Sequence, residues 1–319
     1  MNGLFLILTI ALGGVERGEA SFQPTSAEAD VPELFRLTAA RFPYERELIR
    51  TEASYSVFAV RFPSPITTPD PENNTVHAEY FCPAGSVRRP AVVVLHILGA
   101  DFALSRYLAA RLAQRGVASL FVKLPYYGER RPAGTEKRFL SGDMDRSLLS
   151  MRQGVCDVRR ATAWLAGRPE VDSKQLGVTG ISLGGIVASL SAAIDPTIKQ
   201  AALLLAGGDL ARILWEMPEA EAAKYRDLWL KSGRTQADFK TMTTPFDPLT
   251  YAHRLIGKRL FMMAGNVDEV IPPASTKALW EAAGRPRIEW FDCGHYSAVG
   301  FLLPAIRETV DFFAVDEAP

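Results

Sequence analysis

The stretch Ala91-Val92-Val93-Val94-Leu95 has no polar residue at any position. A strand with one solvated face alternates polar and apolar residues. A run that is apolar on both faces has to be covered on both, as central strands of a parallel sheet are. What surrounds the run repeats the theme. Phe102 to Arg115 has Leu104, Leu108 and Leu112 at helical spacing and ends at Gly116. Val117 to Val122 then reads as a strand, Asp145 to Ala166 as a helix, Leu176 to Ile181 as a strand and Leu183 to Ile194 as a helix. Ala201 to Leu205, Arg259 to Met263 and Arg287 to Phe291 read as strands, with Ser275 to Ala283 and Leu303 to Phe313 as helices. Strands alternating with helices predict an α/β fold, a mostly parallel sheet with helices on both faces.

Two parts of the chain depart from that rhythm. Before Pro90, Ala53 to Phe62 and Val76 to Phe81 read as strands joined by a Pro-rich turn, an N-terminal antiparallel hairpin at one edge of the sheet. Ahead of it, Ser21 to Asp30 reads as a polar linker, and Leu34, Leu37 and Phe42 give Pro32 to Arg50 a helical pattern. Residues 21–52 are therefore expected to be a linker and a helix. Between Gly207 and Arg254 no strand is expected, and Leu210 to Leu230 is amphipathic and helical. That interval reads as a small helical cap over the carboxyl edge of the sheet, where ligands bind in open α/β folds.

Gly180-Ile181-Ser182-Leu183-Gly184-Gly185 follows a buried-type strand and opens a helix. In this setting Gly-x-Ser-x-Gly is a nucleophile elbow: a tight turn lifts the serine hydroxyl clear of the backbone, and its neighbours must be small. A hydroxyl needs a base in contact. Of the four histidines, His295 follows the last strand directly, whereas His77 lies in the hairpin, His253 at the end of the cap, and His96 in the loop after Leu95 as its support. Asp268 follows the strand Arg259 to Met263 and can orient the histidine, with Glu269 as a competing carboxylate. The order Ser182, Asp268, His295 is serine, acid, histidine. An oxyanion hole is expected from the backbone N–H of Leu183 and of Leu98, or alternatively Ile97.

From Pro90 to Phe313 the chain resembles the α/β-hydrolase superfamily, and its Gly-Ile-Ser-Leu-Gly-Gly elbow is similar to dienelactone-hydrolase-like and related esterase groups. His96-Ile97-Leu98-Gly99-Ala100-Asp101 and Pro125-Tyr126-Tyr127-Gly128-Glu129-Arg130-Arg131-Pro132 look like a branch of α/β-hydrolase-domain proteins. The resemblance implies hydrolysis of an ester or related acyl bond, by a domain over residues 53–315, with no metal and no cofactor. Many relatives have His-Gly where this chain has His96-Ile97, and a β-branched residue tolerates positive φ badly, so the oxyanion loop has to differ locally. Tyr127 and Arg130 (or Arg131) are expected to reach the substrate from their loop, and Trp215 and Trp229 from the cap. A salt-bridged loop and ordinary helix packing are the competing readings of those residues. An amidase or thioesterase using the same triad, or a binding protein that keeps the fold without turnover, are the alternatives to an esterase.

Lys plus Arg and Asp plus Glu number 36 each, so no net charge draws the chain to nucleic acid or an anionic surface. The partner expected is a small-molecule ester. Cys82, Cys156 and Cys293 are too few and too scattered for a disulfide framework and read as free thiols. No zinc-type His/Cys spacing and no phosphate-binding Gly-x-x-x-x-Gly-Lys-Ser/Thr occurs. The apolar run Leu4 to Leu12 is too short to span a membrane. It suits a signal-peptide h-region, with Gly18-Glu19-Ala20 as the cleavage segment, so residues 1–20 are expected to direct export. Without that signal the protein would be cytoplasmic.

Overall fold

The computed structural model describes residues 14–99, 102–218 and 220–314. The described strands form one ten-stranded sheet, numbered in chain order: β1 Glu16–Phe22, β2 Ala40–Thr51, β3 Tyr55–Pro63, β4 Thr75–Pro83, β5 Arg89–Leu95, β6 Ala118–Val122, β7 Val171–Ile181, β8 Gln200–Leu204, β9 Arg259–Gly265 and β10 Arg287–Phe291. Their order across the sheet is β1-β2-β3-β4-β6-β5-β7-β8-β9-β10. From β6 to β10 all neighbours are parallel, and β5 sits between β6 and β7 with Ala91 to Leu95 fully covered. The covering helices are α1 Ala103–Gln114, α2 Met144–Ala166, α3 Leu183–Ile194, α7 Pro273–Ala282 and α8 Leu302–Phe313. Both faces are thus closed by helices, and the core lies against the valine-rich strands, as the unbroken apolar runs predict.

The cap joins β8 to β9 and comprises α4 Leu210–Glu216, α5 Ala220–Lys231 and α6 Gln236–Thr243, followed by 3-10 turns at Thr244–Phe246 and Pro248–Leu255. The helix expected as one piece over Leu210 to Leu230 is two. Pro218 lies in the break, and proline has no N–H to carry a helix through. α6 starts at a capping box, with Thr235 and Asp238 satisfying each other's backbone N–H groups.

The N-terminal expectation is corrected. Residues 21–52 hold no α-helix and no free linker. Ser21 and Phe22 belong to β1, Ser26–Asp30 and Glu33–Phe35 are 3-10 turns, and Ala40–Thr51 is β2. Pro43 stands where a helix would need a donor, and Phe42 and Tyr44 are buried two residues apart, the period of a strand. The expected hairpin, β3 and β4, is therefore the inner half of a four-stranded antiparallel wing that joins the parallel strands through β4 against β6. Gly18, Glu19 and Ala20 lie inside β1, in register with Tyr44, Pro43 and Phe42. A methyl group on Gly18 would come within 2.6 Å of the Tyr44 ring, so this glycine lets the two edge strands close. Residues 1–13, which hold the apolar run, fall outside the described residues. Among the described residues no helix is long and apolar enough to cross a membrane.

Candidate active site

The parallel strands β5, β7, β9 and β10 end on the same side of the sheet, and each releases a loop that supplies part of the site. β7 ends at Ile181, and Ser182 follows with φ 54° and ψ −119°, a positive φ that a side chain adopts only under constraint. The turn is held by the Ser182 N–H donating to Leu204 O at 2.9 Å and the Ile186 N–H donating to Ser182 O at 2.9 Å. It is possible only because the residues two before and two after Ser182 lack side chains. A methyl at Gly180 would overlap the main chain of Gly184, and one at Gly184 would lie 2.6 Å from the carbonyl oxygens of Leu95 and His96. Backbone atoms at such distances cannot move aside, so the glycines of the elbow are steric requirements of the turn.

The Ser182 hydroxyl lies 2.8 Å from His295 Nε2, and His295 Nδ1 lies 2.8 Å from Asp268 Oδ2. A carboxylate only accepts hydrogen bonds. The proton therefore sits on Nδ1, and Nε2 is left free to accept the hydroxyl's. Asp268 is 5% exposed, and its other oxygen accepts the N–H groups of Val270 at 2.9 Å and Ile271 at 2.7 Å. Glu269, the competing carboxylate, goes elsewhere. Its Oε2 accepts the backbone N–H of His295 at 2.9 Å and does not meet the imidazole. The structure thus brings Ser182, His295 and Asp268 into one hydrogen-bonded line.

Leu183 is the first residue of α3, where a helix has no internal acceptor for its N–H groups, and Ser182 makes no side-chain cap there. Across from it runs the loop after β5. Its Ile97 is not among the residues of positive φ, so the loop keeps a conformation that a β-branched residue can hold. Leu98 is half exposed at 49% and lines the cleft beside Ser182. His96 fixes the root of this loop. Its Nε2 accepts the Leu124 N–H at 3.0 Å, so Nδ1 carries the proton and donates to Ile97 O at 2.7 Å. Burial holds this imidazole neutral, pushing its pKa down to about 4. It supports the loop, as expected.

A cleft of about 980 Å³ opens over Ser182 and His295. Its floor includes Ile181, Leu98 and Leu205, and its roof comes from the cap through Leu214, Met217 and Tyr225. Leu140, Met144 and Arg146 close one side and Tyr296 and Val299 another. The contacts expected from the Tyr126 to Pro132 loop and from the cap tryptophans are corrected. Arg130 is fully buried: it pairs with the buried Asp157 at 2.8 Å and donates to the carbonyls of Asn73 and Lys123. Arg131 donates to Tyr126 O, and neither arginine lines the cleft. Tyr127 packs edge-on against His96 at 4.4 Å and takes a hydrogen bond from the Gly99 backbone, so it braces the loop from behind. Trp215 and Trp229 meet Phe239 at 5.5 and 5.4 Å inside the cap's own small core, and Trp229 Nε1 donates to Thr235 O. An amphipathic helix has to bury its apolar face, and the tryptophans are that face. The residues from 136 to 142 that reach the cleft carry no periodic signal from which the sequence alone could have placed them.

The family model for alpha/beta hydrolase domain containing 18 matches residues 35–206. Uncharacterized proteins from two strains of Mycobacterium tuberculosis are 29% identical over 144 residues, 45% of this chain and 33% of theirs. The chain therefore spans about a third of the length of the curated relatives it matches. Among solved structures, the acetyl xylan esterase from Paenibacillus sp. R4 superposes with a TM-score of 0.69 at 21% identity, over 84% of this chain and 88% of that one. Acetyl xylan esterase 1 from Thermoanaerobacterium sp. gives 0.65 at 20% identity, over 84% and 87%. The Pyrococcus furiosus esterase Pf2001 gives 0.53 at 16% identity, over 81% and 91%. At these identities the likeness is one of fold, and it agrees with the α/β-hydrolase architecture expected from the elbow and the strand order.

Proposed function

The chain belongs to the alpha/beta hydrolase domain containing 18 family, and from that premise we propose that it is a serine hydrolase cleaving a carboxylic ester of a small molecule through an acyl-enzyme on Ser182. The observation that carries the reading is the pair of 2.8 Å hydrogen bonds running from Asp268 through His295 to a serine of positive φ. Ser182 Oγ adds to the ester carbonyl while its proton passes to His295 Nε2. The N–H groups of Leu183 and Leu98 stabilise the oxyanion of the tetrahedral intermediate. As that intermediate collapses, the carbon–oxygen bond to the alcohol breaks and His295 returns the proton to the departing oxygen. Water then adds to the acyl-enzyme with His295 again as base, and the acid is released. Asp268 holds the imidazole in the productive tautomer and stabilises the imidazolium formed in each half. The esterases among the structural neighbours agree with this chemistry. The cleft has the volume and mixed lining of a small-molecule site.

Replacing Ser182 with Ala removes one oxygen and few packing contacts. Hydrolysis of p-nitrophenyl esters is expected to fall by about a million-fold, the cost of losing a nucleophile from a triad of this kind. Circular dichroism should be unchanged, and a fluorophosphonate should label Ser182 in the parent and nothing in the variant. Unaltered turnover would remove the assignment. A parent that is folded, unlabelled and inactive would leave a binding protein of the same fold, and turnover confined to amides or thioesters would change the bond class but not the residues. We also propose that the protein is exported through its N-terminal segment. A cut that preserves β1 falls before Glu16 and not after Ala20, and intact-mass measurement of the exported protein reads the position directly.

A further inference from the structure

We infer that Glu269 is a positioning residue for His295, gripping the main chain of the histidine loop while its neighbour Asp268 grips the ring. This rests on the reading of Ser182, His295 and Asp268 given above. Two consecutive carboxylates leave the loop after β9 and do different work. Asp268 is buried and meets Nδ1 of the imidazole. Glu269 is exposed, yet its carboxylate accepts the N–H of His295 at 2.9 Å and also that of Tyr296. These N–H groups stand just before the turn Ser297–Phe301, which runs straight into α8. Tyr296 caps that turn and His295 precedes it, so both N–H groups need an acceptor from outside it. Its own backbone N–H, together with those of His295 and Tyr296, holds this carboxyl below its ordinary value.

The neighbouring sequence is built around that grip. Gly294 has no side chain, and a methyl there would overlap Glu269 Oε2. The Gly294 N–H is taken by Ser297 Oγ at 2.8 Å, so the backbone on both sides of the histidine's attachment is fixed from outside the imidazole. A base must sit within hydrogen-bond reach of the hydroxyl it deprotonates. In this loop the Cα of His295 is set by Glu269 and the ring angle by Asp268. Releasing the first removes the hold on the main chain at His295 itself and lets the imidazole shift relative to Ser182.

The test uses the full chain with p-nitrophenyl acetate as substrate and a fluorophosphonate as probe. Glu269→Ala should lower kcat about tenfold and the labelling rate of Ser182 in proportion, with KM unchanged. Glu269→Gln keeps the shape and one acceptor oxygen, and should fall between the two. Parental kcat and labelling in a folded Glu269→Ala variant, or a loss carried by KM alone, would overturn the inference. Where Glu269→Ala fails to fold, Glu269→Gln decides: a kcat about threefold below the parent at unchanged KM supports the role, and parental kcat overturns it. A parent that is not labelled at Ser182 sinks the serine-hydrolase reading itself, whereas a labelled parent with indifferent Glu269 variants sinks only this one.

Discussion

Tyr127 stands behind the loop after β5, packed against His96 and outside the cleft. It is 4% exposed, stands against His96, and receives a hydrogen bond from the Gly99 backbone. Burial pushes its phenol up to about 12, so the group stays neutral and keeps its place in the contact. The loop it braces carries Leu98, the second donor proposed for the oxyanion. Tyr127→Phe keeps the ring against His96 and loses only the hydroxyl. A net hydrogen bond is worth about 0.5–1.5 kcal/mol, so kcat should fall by about two- to tenfold while the thermal midpoint moves little. Steady-state kinetics with one activated ester checks this, and a change in KM with constant kcat would place Tyr127 in substrate binding after all. At this scale the line of Ser182, His295 and Asp268 was legible because Ser182 directly follows the buried end of β7, the other two lie in the loops after β9 and β10, and the chain has only four histidines. Arg130 and Tyr127 were misplaced because nothing local marks their partners: Arg130 meets Asp157 on α2 and Asn73 from the turn before β4. A charged side chain in a glycine-rich loop looks the same whether it ends in solvent or in a buried pair.

Among the elements, the parallel strands and their helices could be read from sequence because each is apolar throughout or along one stripe, and glycine or proline marks most of their ends. β1 and β2 could not. Their residues alternate between a buried aromatic and charges such as Arg17 with Glu45 and Arg46 with Glu16, which pair across the edge of the sheet. That mixture imitates a polar helix until the cross-strand partner is known. The cap makes the opposite point. Its amphipathic stripe was evident, but the stripe splits into a half that packs the cap and a half that faces the cleft. Trp229 belongs to the first half, at 2% exposure with Phe239 against it, while Leu214 and Met217 line the cleft. Leu214→Ala and Met217→Ala are therefore expected to shift kcat/KM toward longer p-nitrophenyl esters, with each added methylene worth roughly 1–3 kcal/mol of discrimination. Trp229→Ala should instead loosen the whole cap, at about 3–5 kcal/mol for a buried tryptophan removed from a core. It should lower activity on every ester alike and make the cap's backbone easier to cleave in limited proteolysis. Parallel ester profiles for Leu214→Ala and Met217→Ala would show that the roof does not select.

Across the molecule, one guanidinium ties the N-terminal segment to the helices α2 and α3. Arg159 of α2 is 1% exposed and donates to both oxygens of Glu28, at 3.0 and 2.5 Å, and to Phe35 O at 2.7 Å. Asp195, just after α3, lies 3.6 Å from the same guanidinium, and Glu28 also accepts the Leu37 N–H. α3 is the helix that begins at Leu183, directly after Ser182, so this cluster joins residues 26–37 to the far end of the helix that follows Ser182. Burial pushes the Glu28 carboxyl up, but Arg159 and the Leu37 N–H outweigh it and hold the group below its ordinary value of 4.5. A carboxylate with a lowered folded-state value adds stability above the unfolded value, and that stability is lost as pH falls through the folded one. Removing one partner of a buried pair costs about 3–5 kcal/mol, and the lower end applies here because Asp195 still faces the cation. Glu28→Gln should therefore lose about 3 kcal/mol against the parent in urea unfolding at neutral pH. In acid the parent's own Glu28 becomes protonated and the gap should narrow toward zero, because the variant has nothing to titrate there. A gap that stays constant from neutral pH into acid would mean that the loss comes from packing and not from the charge on Glu28.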